Sequence, residues 1–220
     1  MGFYAAYVLP RLIELAMSNE AVSAERARLV PRASGDVLEI GVGSGLNIPF
    51  YGPAVRRLYA LDPSPELLRM AARRARRARF PVDLLRDSAE TLPLSDRSVD
   101  TVVSTWTLCS IPDPLGALVE LRRVLRPDGE LIFIEHGRSS EPGIARWQDR
   151  LTPLWRHVSG GCRLNRRIDR LLIRGGFEIC EIGKGYGAGP RISTYLYRGI
   201  ARAIGTGRLG SRPRIRPKGD

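Results

Sequence analysis

The stretch Val37–Asn47, VLEIGVGSGLN, decides the fold of this chain. It begins with a short, mostly apolar run that is typical of a buried strand, and it continues with glycines at every second position, Gly41, Gly43 and Gly45. Glycine permits a sharp turn with positive φ, and because it has no Cβ a ligand can lie directly against the backbone. A glycine loop between a strand and a following helix is typical of nucleotide sites in α/β proteins.

A second apolar run ends on a carboxylate at Asp62, 21 residues beyond Gly41. In open α/β sheets, an acidic residue about 20 residues after the glycines lies at the tip of the second strand and accepts hydrogen bonds from a ribose. We therefore predict that Asp62 and the adjacent Pro63 line a ribose site. The alternative is that Asp62 caps a helix opened by Pro63, and both roles can hold together.

The glycine spacing also indicates which kind of nucleotide binds. It is G-x-G-x-G, whereas dinucleotide sites that hold a pyrophosphate have G-x-G-x-x-G. The difference favours a nucleoside without phosphates. Glu39, just before the first glycine, agrees with this, because a carboxylate there would repel a diphosphate but could attract an ammonium group.

Further segments complete a recognisable pattern. Together with the glycine loop and Asp62, they resemble the class I S-adenosylmethionine-dependent methyltransferases over roughly residues 35–200; they are 87–93 (DSAETLP), 98–104 (SVDTVVS) and 121–131 (LRRVLRPDGEL). The resemblance implies an α/β, Rossmann-like, doubly wound fold in a single domain. Its seven-stranded, mostly parallel sheet would have a last antiparallel strand.

The resemblance implies S-adenosyl-L-methionine as the cofactor and suggests how it is held. Asp87 would accept a hydrogen bond from the exocyclic amine of the adenine, and a backbone N–H of the same turn would meet a ring nitrogen. The alternative for Asp87 is a polar turn residue. The predicted cofactor-binding residues are Glu39, Gly41, Gly43, Gly45, Asn47, Asp62, Pro63, Asp87, Ser88, Ala89 and Thr105.

Other residues are predicted on the acceptor side. His136 lies at the carboxyl end of the fifth predicted strand, where this architecture places active-site groups. We predict a catalytic or substrate-orienting role for His136, with a structural hydrogen bond to the neighbouring loop as the alternative. Trp106, Trp147 and the N-terminal Tyr4 are predicted to contact the acceptor or the reactive end of the cofactor.

The late segments narrow the resemblance to one branch. Trp155 and the segments 107–111 (TLCSI), 133–136 (FIEH) and 161–166 (GCRLNR) look like the branch that contains the mammalian microsomal thiol S-methyltransferases. This implies transfer of a methyl group to a small-molecule acceptor, with a thiol favoured. Looser resemblances leave phospholipid amine N-methyltransferase and quinone C-methyltransferase as alternatives. A non-catalytic subunit that only binds the cofactor is the alternative of a different class.

We expect three regions along the chain. Residues 1–34 are predicted to form a helical lid over the cofactor, residues 35–204 the methyltransferase domain, and residues 205–220 a basic, disordered tail. For the N-terminal helices, the alternatives are amphipathic packing for stability or a position on a membrane surface.

The charge balance bears on partners. Lys and Arg number 35 against 23 Asp and Glu, a net charge of +12. No basic stripe with interleaved aromatic residues is visible, so we expect no specific nucleic acid. Peripheral contact with an anionic membrane is left open. We infer no obligate protein partner.

The apolar pattern and the cysteines bear on location. No run of about 18 apolar residues is present, and the membrane anchor of the mammalian relatives is not apparent, so we expect a cytoplasmic protein. The three cysteines are few and odd in number, which favours a reducing compartment and no metal site. Cys109 and Cys162 are interpreted as small buried hydrophobic residues, and reactive thiols are the alternative.

Overall fold

Seven strands form one sheet in residues 9–204, the part of the chain that the computed structural model describes. The strands are β1 (Gly35–Ile40), β2 (Val55–Leu61), β3 (Val82–Leu85), β4 (Val99–Thr105), β5 (Leu125–His136), β6 (Phe177–Tyr186) and β7 (Tyr195–Ala203). Their order across the sheet is β3-β2-β1-β4-β5-β7-β6. The predicted tail at 205–220 lies outside the described residues.

Six α-helices connect or flank these strands in the described part of the chain. They are α1 (Leu9–Met17), α2 (Glu20–Leu29), α3 (Pro65–Ala75), α4 (Pro114–Val124), α5 (Pro142–Val158) and α6 (Ile168–Arg174). Among the described residues, none of these helices combines the length and apolar character needed to cross a bilayer.

The direction of the strands confirms the predicted fold class. β1 pairs in parallel with β2 and β4, and the remaining pairs β2–β3 and β4–β5 are also parallel. β7 is inserted between β5 and β6 and runs antiparallel to both. The strand order reverses between β1 and β4, and in doubly wound sheets a ligand binds at the carboxyl ends of the strands beside such a reversal.

Alternating side chains on the central strands build a core on each face of the sheet. Leu38 and Ile40 of β1 pack into one cluster with Phe133 of β5 and with buried residues of α4 and α6. Val37 and Val103 point to the opposite face and pack with buried residues that include those of α3. Because parallel strands are covered on both faces, their mostly apolar sequences are expected.

One local expectation changes at the start of α3. Ser64 is the N-cap residue, because its hydroxyl accepts a hydrogen bond from the Leu67 N–H at 3.3 Å. Pro65 then occupies the first helical turn, where its missing N–H costs nothing. The alternative in which Asp62 caps a helix opened by Pro63 is therefore wrong, and the Asp62 carboxylate lies two residues before the cap.

Candidate active site

The three loop glycines all have positive φ, at 64°, 56° and 83° for Gly41, Gly43 and Gly45. A Cβ on Gly41 would lie 2.2 Å from the Thr107 hydroxyl oxygen, and one on Gly45 would lie 3.1 Å from the Cα of Ala71. These two positions therefore require glycine both for the turn and for close packing against the protein.

Gly43 differs, because the space beside it is open. Among the described residues, the nearest atom to a Cβ built there is the carbonyl oxygen of Gly41, at 4.0 Å. The Gly43 N–H donates to Asp62 Oδ2 at 2.9 Å, and the Ser64 N–H donates to Asp62 Oδ1 at 2.8 Å. Asp62 thus fixes the glycine loop to the end of β2. Pro63, the next residue, is exposed.

Asp62 retains capacity for a ligand. A carboxylate has about four lone-pair sites, and backbone N–H groups occupy two of those on Asp62. Burial raises the pKa of Asp62, while the hydrogen bonds from Ser64 and Gly43 oppose that rise. Within residues 9–204, one acceptor site on each oxygen therefore remains for a hydroxyl pair such as that of a ribose.

A buried network centred on Asn47 joins the glycine loop to three elements. The Asn47 amide nitrogen donates to Glu39 Oε1 at 2.8 Å and to the Thr105 hydroxyl at 2.9 Å. Its oxygen accepts from Arg26 Nε at 2.9 Å, and the Tyr51 hydroxyl donates to Glu39 Oε2 at 2.8 Å. Glu39, Asn47 and Thr105 therefore use their polar atoms within the protein, and their contact with the cofactor stays a prediction.

Burial shifts the two charges in this network toward neutrality. It raises the pKa of Glu39 to about 7 and lowers the pKa of Arg26 to about 10. The Arg26 guanidinium also lies 5.0 Å from the ring centroid of Trp106. The sequence did not predict that Arg26 and Tyr51 belong to this network. For Arg26 the reason is that one arginine in a chain rich in arginine gives no signal of burial.

The two N-terminal helices are fastened to the glycine loop. Glu14 of α1 accepts from Arg74 at 2.6 Å and from the Ser44 hydroxyl. Arg26 of α2 also donates to the Met17 carbonyl at 2.8 Å, which joins the two helices. The helical lid stays a prediction, and Tyr4 lies outside the described residues.

The predicted adenine segment follows β3 at the same edge of the sheet. The Ser88 N–H donates to Asp87 Oδ1 at 2.8 Å, and the Ser88 hydroxyl accepts from the Glu90 N–H at 3.2 Å. Ala89 is buried beside them. The Asp62 N–H donates to the Leu85 carbonyl at 3.1 Å, so the ends of β2 and β3 are adjacent. The structure thus places Asp62 and Asp87 after neighbouring strands.

A buried carboxylate orders the loop that follows β4. Glu135 accepts from the backbone N–H groups of Thr107 at 3.1 Å and of Leu108 and Cys109 at 3.0 Å. The Ser104 hydroxyl adds a fourth hydrogen bond at 2.7 Å. The sequence carried no signal for this role of Glu135, because its four partners lie 26 to 31 residues away.

Trp106 and His136 lie together on the acceptor side. Trp106 has a φ of 51°, a rare value for a bulky residue, and its N–H donates to the Ile134 carbonyl at 2.7 Å. Its ring meets the His136 ring edge to face, with centroids 6.4 Å apart. Trp106 therefore separates the Arg26 network from His136.

His136 contacts a pair of buried thiols. Its Nδ1 lies 3.7 Å from the Cys162 sulfur, which lies 3.7 Å from the Cys109 sulfur. The contact between the thiols and then burial raise the pKa of Cys109, whereas the same contact lowers the pKa of Cys162. Both thiols are buried, which confirms the prediction that Cys109 and Cys162 are buried residues.

Trp147 lies on the outer face of α5. It is 54% exposed, and the Arg150 guanidinium lies 5.6 Å from its ring centroid. The structure does not bring it into contact with Trp106 or His136, which pack against each other. Its role toward the acceptor stays a prediction.

Comparisons with known proteins identify the family. A family model described as Methyltransferase domain matches residues 38–133. Human thiol S-methyltransferase TMT1B is 39% identical over 140 residues, which cover 61% of this chain and 57% of the human protein. Human thiol S-methyltransferase TMT1A is 33% identical over 156 residues, which cover 69% and 64%. The chain belongs to the class I S-adenosylmethionine-dependent methyltransferases. It spans about three fifths of the length of these curated relatives.

Solved structures agree on the fold. A SAM-dependent methyltransferase of Leishmania major has a TM-score of 0.67 at 17% identity and covers 90% of this chain and 80% of its own. A SAM-dependent methyltransferase of Aquifex aeolicus has a TM-score of 0.62 at 18% identity, with coverages of 87% and 97%.

The cofactor of the present chain is S-adenosylmethionine. The open side of Gly43 and the free acceptor sites of Asp62 fit an adenosine without phosphates.

Substitution of Asp62 tests the ribose site. We expect Asp62→Ala to weaken binding of adenosylhomocysteine about 10- to 100-fold, because hydrogen bonds to a charged group are lost. Calorimetric titration measures this, and circular dichroism confirms that the variant is folded. The matched control is Asp83→Ala, which removes a half-exposed carboxylate from the neighbouring strand. Equal affinities of the two variants would contradict the assignment.

The buried carboxylate of Glu39 predicts a pH-dependent stability. Its pKa is raised from about 4.5 to about 7, so the stability it contributes is full below pH 4.5 and is lost as the pH rises through 7. Glu39→Gln remains neutral at every pH. Its free energy of unfolding relative to the native protein should therefore rise by about 1–3 kcal/mol between pH 5 and pH 8.

Urea unfolding at both pH values measures the difference. Glu178→Gln is the control, because Glu178 is exposed on β6. A difference for Glu39→Gln that stays constant with pH would show that Glu39 is ionised throughout.

Proposed function

We propose that this methyltransferase transfers the methyl group of S-adenosylmethionine to the sulfur of a small-molecule thiol. The observation that carries the proposal is the 39% identity to a human protein named as a thiol S-methyltransferase. A rat protein of the same name is 36% identical over 152 residues, which cover 66% of this chain.

The residues have distinct roles in this proposal. Asp62 accepts from the ribose hydroxyls, and the backbone at Gly43 approaches the nucleoside. The turn Asp87–Ala89 recognises the adenine. The cofactor supplies a sulfonium methyl that is already electrophilic, so the protein has to align the acceptor and exclude water.

A thiol acceptor sets one chemical demand. A free thiol with a pKa near 8.5 is only a few per cent thiolate at neutral pH, and the thiolate is the nucleophile. Trp106 and His136 lie at the carboxyl edge of β4 and β5, where their side chains can orient the acceptor sulfur. We assign His136 to this orienting role.

An acceptor panel tests the proposal. Purified protein is incubated with labelled S-adenosylmethionine and with thiols, phospholipid amines and quinols. We expect label in the thioether product, with at least about tenfold preference for thiols over the other two classes. Preferential labelling of an amine or a quinol would assign the alternative acceptor. Cofactor binding without transfer to any class would favour a non-catalytic subunit.

Substitution of His136 tests its role. We expect His136→Ala to lower turnover by at least about tenfold, because a misplaced acceptor loses alignment with the methyl group. The affinity for adenosylhomocysteine should stay within about twofold of the native value, because Asp62 and its hydrogen bonds are unchanged. His157→Ala is the matched control, because His157 is exposed near the end of α5. Unchanged turnover in His136→Ala would remove it from the mechanism.

A second candidate function, methylation of a phospholipid amine, is favoured by the surface of α5. Four apolar side chains form an exposed stripe along it, Trp147, Leu151, Leu154 and Val158, with exposures from 36% to 69%. Exposed arginines flank the stripe at positions 146, 150 and 156. An apolar stripe with basic flanks suits the surface of an anionic bilayer. A phosphatidylethanolamine N-methyltransferase of Cereibacter sphaeroides is 33% identical over 120 residues, which cover 54% of this chain and 59% of that protein.

Vesicle binding tests the surface. We expect the protein to co-sediment with vesicles that contain phosphatidylserine and to be released by salt, because the arginine contribution is screened. Leu154→Glu should lower the bound fraction several-fold. Val119→Glu, which changes an isolated apolar side chain of α4 that is 58% exposed, should not. Equal sedimentation of the two variants would exclude the α5 stripe as the contact.

A further inference from the structure

Three residues with metal-binding side chains meet beside Trp106. Cys109 lies in the loop after β4, His136 is the last residue of β5, and Cys162 follows α5. The two sulfur atoms are 3.7 Å apart, and the Cys162 sulfur is 3.7 Å from His136 Nδ1. All three ligand atoms lie within 4.8 Å of one another.

The sulfur–sulfur distance and the distance from Cys162 to His136 match two edges of a tetrahedral zinc site. Zinc–sulfur bonds of about 2.3 Å and zinc–nitrogen bonds of about 2.0–2.1 Å at tetrahedral angles place two sulfurs about 3.8 Å apart. The same geometry places a sulfur about 3.5 Å from a nitrogen. A disulfide would instead require the sulfurs at about 2.05 Å, and both cysteines are free. The observed spacing therefore fits two ligands of one metal ion and does not fit a disulfide.

The backbone holds the two cysteines at this spacing. Cys109 donates its N–H to Glu135, and its carbonyl accepts from the Arg163 N–H at 3.0 Å. Gly161, just before Cys162, has a φ of 91°, and a Cβ there would lie 3.0 Å from the Ser110 carbonyl oxygen. The two cysteine-bearing loops are thus fixed against each other independently of their side chains.

The surroundings suit two thiolates that share a divalent ion. Cys109 is 0% and Cys162 is 6% exposed, and they pack with Leu164 and Trp155. The buried indole Nε1 of Trp155 has no hydrogen-bond partner within residues 9–204, and a thiolate in the same cluster can accept from it. Two thiolates and a neutral imidazole also cancel the charge of Zn²⁺, so no net charge is buried.

We propose that Cys109, His136 and Cys162 bind one Zn²⁺ ion and that its fourth position takes the sulfur of the acceptor thiol. Zinc sites with three protein ligands characteristically keep an open position for water or substrate. Half-buried His136 forms the more open side of the cluster and faces Trp106. The proposal that these residues bind a metal does not depend on the proposed function, whereas the role of the fourth position rests on it.

The chemistry of the fourth position balances. The acceptor thiol loses its proton to solvent as its sulfur binds the ion. The bound sulfur then uses an electron pair to form the new bond to the methyl carbon. The bond between that carbon and the cofactor sulfur breaks, and its electron pair stays on adenosylhomocysteine. The product is a neutral thioether, a weaker ligand than a thiolate, and it leaves the ion.

Metal binding is measured without any turnover. The full chain, kept reduced with a phosphine, is loaded with Zn²⁺, dialysed and assayed by elemental analysis, and Co²⁺ is loaded in parallel as a spectroscopic probe. We expect one zinc per chain and the charge-transfer absorption of cobalt bound to thiolates. Cys162→Ser and Cys109→Ser should weaken zinc binding by at least about 100-fold, beyond the effect typical of outer-shell changes. Cys180→Ser is the matched control, because Cys180 is exposed outside the cluster.

The fourth position is tested by adding thiophenol to the cobalt protein. We expect a new charge-transfer band with thiophenol and none with phenol. Absence of zinc from the native chain, equal zinc in the three cysteine variants, or a Cys109–Cys162 disulfide under these conditions would overturn the site. An unchanged cobalt spectrum with thiophenol would overturn the fourth-position role. If the native chain binds zinc but does not bind adenosylhomocysteine, the proposed function is contradicted and the metal site is not.

Discussion

A buried carboxylate must have its oxygen atoms hydrogen-bonded, and this constraint organises the whole edge of the sheet. Glu39 on β1 and Glu135 on β5 lie on either side of β4, and both are almost completely buried. Glu39 is satisfied by Asn47 and Tyr51, which fixes the glycine loop. Glu135 is satisfied by three backbone N–H groups and Ser104, which fixes the loop after β4. The two carboxylates thus fix the glycine loop and the loop after β4 to the central strands of the sheet.

Trp106 connects these two halves. One side of its ring faces the Arg26 guanidinium, which belongs to the Asn47 network, and the ring also packs against that of His136. A rare positive φ at this bulky residue is maintained by a hydrogen bond to β5. The methyl group of the cofactor and the acceptor would meet near this residue. In the proposed reaction, rigid strand ends and the loops fixed to them would supply the alignment that methyl transfer requires.

Helix α5 links the outer surface with the acceptor side. Its buried face carries Gln148, which accepts from the Ser139 N–H at 2.8 Å and so anchors the helix to the segment after β5. Its exposed face carries the apolar stripe, and its end leads into the loop of Cys162. An amphipathic surface helix and the thiol cluster thus belong to one continuous segment, residues 142–162.

The sequence alone determined the fold class, the glycine loop, the acidic tips of β2 and β3 and the position of His136 at the end of β5. The fold class followed from the resemblance to a known family, whereas the other features depend on local spacing and on the rule that parallel strands end at one edge of a sheet. Tertiary structure decided which polar groups are buried together. Arg26 pairs with Asn47 across 21 residues, and Cys162 lies 53 residues from Cys109 and 26 from His136. No spacing pattern encodes such contacts, because they arise only when distant loops pack at the same strand ends.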